Sequence, residues 1–202
     1  MALFLFAPGA GAPSSSDWMR AWAARLSALG EVRPFDYPYR REGRRAPDRL
    51  PTLVAAHRQA LQEARAGHDG PVFLAGKSMG GRIGCHVALE EAVDGLVCFG
   101  YPLRAAGPSG ALRDEVLKAL ATPLLFLQGT RDPLCPLDIL ADVRRVMRAP
   151  HHLHVVEGGD HSLLVRKGDL ARRGATQANV DAEILAAVEA FVRDPVRPYM
   201  GR

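Results

Sequence analysis

The chain has 202 residues, of which 48% are hydrophobic and 24% charged, and its formal net charge is +4. This composition excludes the disordered and fibrous classes, and a chain of this length buries about 70% of its unfolded surface, which is enough for one core. We therefore predict a single domain over residues 1–202, and no membrane partner, since no apolar run approaches the ~20 residues of a membrane-spanning helix.

Two features bear on the cellular location. The apolar residues 1–7 precede the small residues 10–12, an arrangement that resembles a signal peptide with its cleavage site, but no basic segment comes before them. We therefore interpret this run as the first strand. The three cysteines, Cys85, Cys98 and Cys135, include no C-x-x-C pair, and reduced thiols in a cytoplasmic protein are the simpler explanation.

Apolar runs suited to buried parallel strands recur along the chain, and helical patterns separate them. Strands that alternate with helices of this length predict βαβ units, and so an α/β fold with a doubly wound, mostly parallel sheet of about six strands. No long insertion separates the elements, which predicts that there is no lid domain. The strand-like runs cover residues 3–7, 32–37, 72–75, 96–99, 124–128 and 153–156.

The first helix is predicted to begin at Ser16 or Asp17 as its N-cap and to end at Gly30. Its apolar face carries Trp18 and Trp22, which we interpret as core residues. A second helical pattern places His57 on an apolar face, as a core or boundary residue. Later helical patterns cover residues 136–147 and 180–192.

The segment 76–80 reads Gly-Lys-Ser-Met-Gly and follows the third apolar run directly. A Gly-x-Ser-x-Gly turn between a strand and a helix is the nucleophile elbow of serine hydrolases, which makes Ser78 the candidate nucleophile. The letters Gly-Lys-Ser also end a phosphate-binding loop, G-x-x-x-x-G-K-[ST]. Five residues rather than four separate Gly70 from Gly76, and these are strand-like, so the spacing rejects a nucleotide-binding loop.

A serine hydroxyl needs a base, and the base needs a carboxylate that orients it. In this architecture the three residues follow successive strands in the order Ser, Asp or Glu, His. Asp132 follows the fifth apolar run and His161 follows the sixth, so we predict Asp132 as the orienting acid and His161 as the general base. Asp114 and Asp160 are the alternatives for the acid, while Asp138 and Asp142 lie within a helical pattern.

Acyl transfer also requires donors for the oxyanion of the tetrahedral intermediate. We expect the backbone N–H of Met79, directly after the nucleophile, to be one donor. The second should come from the glycine-rich turn after the first strand, and the N–H of Ala10 is the best placed. A metal site is not expected at His151, His152 and His154, because no carboxylate or cysteine stands at ligand spacing, and no cofactor is predicted.

Much of the positive charge lies in an arginine-rich segment, residues 40–49. It has no interleaved aromatic residues and no nucleic-acid-binding motif, so we expect no nucleic-acid partner. A solvated loop is one interpretation of this segment. The other is that Arg44 and Arg45 steer an anionic substrate toward a nearby cleft.

These segments together resemble the α/β-hydrolase fold, and more narrowly a small lidless family. That family includes bacterial α/β-hydrolase-like proteins, a testis-expressed vertebrate hydrolase-like protein and a subunit of the nonspecific-lethal chromatin complex. The resemblance implies a doubly wound parallel sheet with a catalytic triad of Ser78, Asp132 and His161. Many relatives have a histidine where this chain has Pro8. The motifs that carry the resemblance lie at residues 7–11, 43–47, 76–81, 100–103, 129–132 and 159–162.

The leading functional hypothesis is a serine hydrolase that cleaves a small carboxylic ester or thioester through an acyl-enzyme on Ser78. A peptidase that acts on short peptides is a variant of it. The alternative is a binding or scaffold protein that keeps the fold with little turnover. The missing lid and the arginine-rich segment favour this alternative. The sequence indicates no oligomeric state.

Overall fold

The computed structural model describes residues 1–105 and 110–196. Its centre is a sheet of six strands in the order β2-β1-β3-β4-β5-β6, and every neighbouring pair is parallel. The predicted α/β architecture is thereby confirmed. The strands are β1 (Ala2–Ala7), β2 (Gly30–Pro34), β3 (Val72–Lys77), β4 (Gly95–Phe99), β5 (Leu124–Gly129) and β6 (His151–Val156).

Helices connect the strands and cover both faces of the sheet. The described residues contain no inserted lid domain, and no helix among them has the length and apolar character that crossing a membrane would require. The helices are α1 (Asp17–Leu26), α2 (Pro38–Arg41), α3 (Leu50–Arg65), α4 (Met79–Val87), α5 (Glu115–Ala119), α6 (Leu137–Val146), α7 (Lys167–Arg172) and α8 (Gln177–Arg193).

The four inner strands β1, β3, β4 and β5 are largely apolar because both of their faces are buried. Successive side chains of a strand point to opposite faces, so β1 divides its residues between two cores. Leu3 and Leu5 belong to the core under α3, α4 and α6. Phe4 and Phe6 belong to the opposite core, which α1 and α8 close.

The strand order reverses at β1, and this reversal positions the functional site. The chain passes from β1 to β2 on one side, crosses back over β1 to β3, and then proceeds through β4 and β5 to β6 in the other direction. In open parallel sheets of this kind, ligands bind beyond the carboxyl ends of the strands at such a switch point. The loops that follow β1 and β3 are therefore expected to line the site.

Some predicted boundaries were wrong. The second strand ends at Pro34 rather than at residue 37, because Tyr37 leaves the sheet and is fully buried against α3 and α4 in a third small core. Gly30 does not end the first helix, which stops at Leu26. Instead it begins β2, where a side chain would collide with the backbone of Ala2.

Substitution of Gly80 tests the close crossing of α4 over β1. A Cβ atom at this position would lie 2.7 Å from the carbonyl oxygen of Pro8 and from the carbonyl carbon of Ala7, so backbone atoms must shift. We expect Gly80→Ala to lower the free energy of unfolding by about 2–3 kcal/mol, the cost of overpacking. Urea denaturation followed by circular dichroism measures it.

Gly168→Ala is the matched control. Gly168 lies in the helix α7 and has open space around its Cβ position, so this variant should keep or raise the stability by up to about 1 kcal/mol. Equal free energies of unfolding for the two variants would contradict the proposed crossing.

Candidate active site

The turn between β3 and α4 holds Ser78 in a strained conformation. Its backbone φ is 50° and ψ is −113°, in a region that residues with a side chain rarely adopt. The N–H of Ser78 donates to the carbonyl of Phe99 at the end of β4, at 2.9 Å. Gly76 makes this turn possible, because a Cβ there would lie 2.8 Å from the carbonyl oxygen of Gly80. The turn therefore presents the serine hydroxyl beyond the end of the sheet.

His161 reaches this hydroxyl from the loop after β6. Its Nε2 lies 2.8 Å from Ser78 Oγ. The loop is folded around Asp160, whose Oδ1 accepts the backbone N–H groups of Ser162 at 2.7 Å and Leu164 at 3.0 Å. Asp160, an alternative for the orienting acid, thus shapes the loop that carries the histidine.

Asp132 lies behind the histidine in the turn after β5. Its Oδ2 is 2.7 Å from His161 Nδ1, and its side chain is fully buried. A carboxylate can only accept, so Nδ1 carries the proton and donates it, which leaves Nε2 free to accept the proton of Ser78. The structure thus brings the three predicted residues into one chain of hydrogen bonds, whose catalytic roles stay predictions. The other alternative acid, Asp114, pairs instead with Lys118.

Burial alone would raise the pKa of Asp132, because it disfavours the charged form. The hydrogen bond and charge of His161 oppose this effect, and the N–H of Leu134 and the amide of Gln128 also donate to the carboxylate. The pKa of Asp132 is therefore lowered from its ordinary value. The acid is held as an anion next to the imidazole.

Gln128 is a contributor to the site whose role sequence reasoning missed. It lies at the end of β5 and is fully buried. Its Nε2 donates to Asp132 Oδ2 at 2.6 Å, and its Oε1 accepts the N–H of Tyr101 at 3.1 Å. A glutamine within an otherwise apolar buried strand, four residues before the acid, was the signal in the sequence.

Of the two predicted oxyanion donors, Met79 follows Ser78 directly and Ala10 lies in the turn after β1. Met79 is the first residue of α4, where a backbone N–H has no acceptor within the helix. Within the described residues the N–H of Ala10 donates no hydrogen bond. The carbonyl of Ala10 is held by Arg40 Nη2 at 2.6 Å and by the hydroxyl of Tyr39 at 3.2 Å, two contacts that sequence reasoning did not anticipate.

Two clefts open onto Ser78. The first, of about 270 Å³, is lined by the glycine-rich turn, Trp18, Lys77 and His161, and we refer to it as the histidine cleft. The second, of about 330 Å³, is lined by Met79, Arg82, Arg113 and Leu134 among others, and we refer to it as the arginine cleft. Ala10 and Ser78 line both clefts.

Trp18 and Lys77 hold the histidine loop. The indole Nε1 of Trp18 donates to the carbonyl of Ser162 at 3.0 Å, and Lys77 Nζ donates to the carbonyl of His161 while lying 5.6 Å from the Trp18 ring centre. Trp22 is buried as predicted, whereas Trp18 lines the histidine cleft. Trp18 also packs against the core that contains Trp22, so the interpretation of both tryptophans as core residues is confirmed for Trp22 and incomplete for Trp18.

The arginines chosen for substrate steering lie farther out. Arg44 is exposed and forms ion pairs with Glu42 and Asp48, each at 2.7 Å. Arg45 is exposed, and neither residue lines the histidine cleft or the arginine cleft. A steering role for Arg44 and Arg45 stays a prediction, while Arg40 contacts the site directly through Ala10.

In the described part of the chain, the histidine, cysteine and acidic side chains are not grouped as a metal site requires. No group of three or more histidine, cysteine or acidic side chains suited to a metal ion occurs within residues 1–105 and 110–196. Cys85, Cys98 and Cys135 are free thiols and buried, and His57 is buried with its Nδ1 3.1 Å from the Tyr37 hydroxyl. Burial lowers the pKa of His57 to about 3, so this histidine is a neutral core residue.

The parallel sheet carries a strained serine at a strand-to-helix turn, and an acid and a histidine in the loops after later strands. That arrangement defines the α/β-hydrolase class. A family model of the alpha/beta hydrolase domain matches residues 1–193, and the chain belongs to that family.

Solved structures share this fold at low sequence identity. A serine hydrolase homologue from Coxiella burnetii is 20% identical, with a TM-score of 0.67 over 80% of this chain and 77% of that one. Est1E from Butyrivibrio proteoclasticus is 14% identical, with a TM-score of 0.67 over 96% and 88% of the two chains. A metagenome-derived lipolytic enzyme is 16% identical, with a TM-score of 0.71 over 95% and 93%.

The burial of Lys77 predicts a dependence of stability on pH. Burial lowers the pKa of its amine from 10.5 to about 8, although Asp132 and Asp160 oppose the shift. Between these pH values the unfolded chain binds more protons than the folded chain, so the folded state gains stability as the pH rises. The quantity to compare is the difference in the free energy of unfolding between the wild type and Lys77→Met. We expect this difference, wild type minus variant, to increase from about pH 7.5 to about pH 10.

Urea denaturation of both proteins across this range measures the difference, and the subtraction removes the contribution of other titrating groups. A difference that stays constant with pH would show that the amine keeps its ordinary pKa in the folded protein.

Proposed function

We propose that the protein is a serine hydrolase that cleaves a small carboxylic ester or thioester through an acyl-enzyme on Ser78. The observation that carries this proposal is the continuous hydrogen-bond chain from Ser78 Oγ through His161 to Asp132, at 2.8 and 2.7 Å. The chain ends in a buried carboxylate that is kept ionised. Membership of the alpha/beta hydrolase family supports it.

The proposed reaction uses these three side chains in turn. His161 Nε2 accepts the proton of Ser78 as Oγ attacks the carbonyl carbon, and Asp132 stabilises the imidazolium that forms. The N–H groups of Met79 and Ala10 donate to the oxyanion of the tetrahedral intermediate. His161 then gives the proton to the leaving oxygen or sulfur, and the acyl group remains on Ser78. A water molecule, deprotonated by His161, releases the acid and restores the serine.

The open clefts suit a small-molecule substrate, because the described residues place no lid over Ser78. We also propose that residues 1–202 form one domain and that the protein acts in the cytoplasm. Within the α/β-hydrolases we place it in the lidless family that includes the testis-expressed hydrolase-like protein and the nonspecific-lethal complex subunit. The motif residues 76–81 and 159–162 support that placement.

A panel of p-nitrophenyl esters and acyl thioesters of graded chain length tests the proposed activity. We expect turnover of short-chain substrates by the wild type, and a loss of most of it in Ser78→Ala and in His161→Ala. If folded wild-type protein hydrolyses none of the panel above the rate of Ser78→Ala, the esterase proposal fails, and the scaffold alternative becomes the better account.

The acid can be tested by Asp132→Asn, which keeps the size of the side chain and removes its charge. The amide can donate to Nδ1 and so favours the wrong imidazole tautomer, and we expect kcat to fall by about 10³- to 10⁴-fold. Asp160→Asn is the matched control, because Asp160 contacts backbone N–H groups of its own loop rather than the imidazole. If kcat falls less in Asp132→Asn than in Asp160→Asn, Asp160 rather than Asp132 is the orienting acid.

A further inference from the structure

The arginine cleft contains two cationic side chains that the catalytic chain does not use. Arg82 projects from the first turns of α4, and Arg113 lies in the segment between β4 and α5. Both line the same cleft as Ser78. One cleft of about 330 Å³ that opens on Ser78 is therefore lined by both residues, and their charges are close enough to repel each other.

The guanidinium charges of Arg82 and Arg113 have no carboxylate partner in the described part of the chain. Within residues 1–105 and 110–196, no carboxylate lies within ion-pair distance of Arg82 or Arg113. Arg82 Nη1 is 3.4 Å from His86 Nε2, and its Nε is buried without a hydrogen-bond partner in the described part of the chain. Burial, and after it the charge of Arg113, lowers the pKa of Arg82. Two partly buried like charges destabilise the free protein, and a bound anion would relieve them.

Asp48 is the one carboxylate among the described residues that line this cleft, against two arginines, and its ion-pair partner is Arg44. Its Oδ1 lies 2.7 Å from Arg44 Nη1, outside the cleft. Its Oδ2 is buried and has no hydrogen-bond partner among the described residues, so it is not bound to Arg82 or Arg113. The net charge that the cleft presents is therefore positive.

The position of His161 decides which part of a substrate enters this cleft. The leaving group receives its proton from His161 Nε2, so it must lie in the histidine cleft, which His161 lines. The acyl group then extends from Ser78 into the other cleft. Leu53, Pro102 and Leu134 give that cleft an apolar wall, which suits a short carbon chain between the reacting carbonyl and the arginines.

We propose that the acyl group of the substrate ends in a carboxylate that Arg82 and Arg113 bind. This inference rests on the acyl transfer proposed above and narrows its substrate class to monoesters or monothioesters of short dicarboxylic acids. The planar guanidinium groups can bind a carboxylate through paired hydrogen bonds, which a neutral chain end cannot form.

Matched substrates test the preference. Mono-p-nitrophenyl glutarate and p-nitrophenyl valerate share the leaving group and the acyl chain length, and differ in the terminal carboxylate. We expect the ratio of their kcat/KM values to favour the glutarate in the wild type, and to fall by about 10- to 100-fold in Arg82→Met and in Arg113→Met. Because the ratio compares two substrates of one protein, partial unfolding of a variant does not change it.

Arg145→Met is the control, since Arg145 is exposed on α6 and pairs with Asp142, and it should leave the ratio at the wild-type value. A wild-type ratio that does not favour the glutarate, or a ratio unchanged in both cleft variants, would overturn the proposal. In p-carboxyphenyl valerate the carboxylate lies on the leaving group instead of the acyl group. If the wild type hydrolysed this ester faster than p-nitrophenyl valerate, and Arg82→Met removed that preference, the carboxylate would belong to the leaving group and the assignment to the acyl group would be overturned.

A binding measurement separates this inference from the proposed activity. Monomethyl glutarate should bind to Ser78→Ala, as measured by calorimetry, and more tightly than methyl valerate. Adding Arg82→Met should weaken that binding by about 10-fold or more. If the wild type cleaves no ester but this Arg82-dependent binding is found, the activity fails and the carboxylate site stands. If monomethyl glutarate does not bind more tightly than methyl valerate, or if Arg82→Met leaves this preference unchanged, the proposed carboxylate site is wrong. That conclusion holds whether or not the wild type hydrolyses esters.

Discussion

The site depends on one steric constraint, the close crossing of β3 and α4 at Ser78. The serine can hold φ at 50° only because Gly76 and Gly80 leave no side chain between the strand, the helix and the backbone of residues 7–8. Phe99 fixes the turn by accepting the N–H of Ser78. The hydroxyl is thereby placed beyond the sheet, next to the N-terminus of α4, where the N–H of Met79, the proposed oxyanion donor, has no acceptor within the helix.

The sheet then determines which residues can meet this hydroxyl. β4, β5 and β6 lie in sequence beside β3, so the loops at their carboxyl ends converge on the same edge. The buried amide of Gln128 joins two of these loops, since it donates to Asp132 and accepts from the N–H of Tyr101. Tyr101 in turn donates its hydroxyl to the carbonyl of Arg113. Asp132 and the arginine cleft are thus supported by one buried polar network, which low dielectric strengthens.

Much of the fold and the candidate triad could be predicted from the sequence, because buried parallel strands are apolar runs and the elbow has a local glycine pattern. Ser78, Asp132 and His161 each lie within five residues after the end of such a run. The short helices α2, α5 and α7 have four to six residues, too few to show a helical period. The contacts of Gln128 with Tyr101 and of Arg40 with Ala10 could not be predicted either, because each joins segments that are distant in sequence. Trp18 was assigned to the core from its spacing, yet its indole N–H holds the histidine loop.

The central claim is that Ser78 is an activated nucleophile. The most direct test is labelling with a fluorophosphonate probe, followed by mass spectrometry of the intact protein and of its peptides. Labelling requires the serine hydroxyl, the base and the oxyanion site, but it requires no knowledge of the substrate. We predict one covalent adduct on the peptide that contains Ser78, and none in Ser78→Ala or His161→Ala of confirmed fold. An unlabelled wild-type protein, or an adduct that persists in Ser78→Ala, would contradict the account.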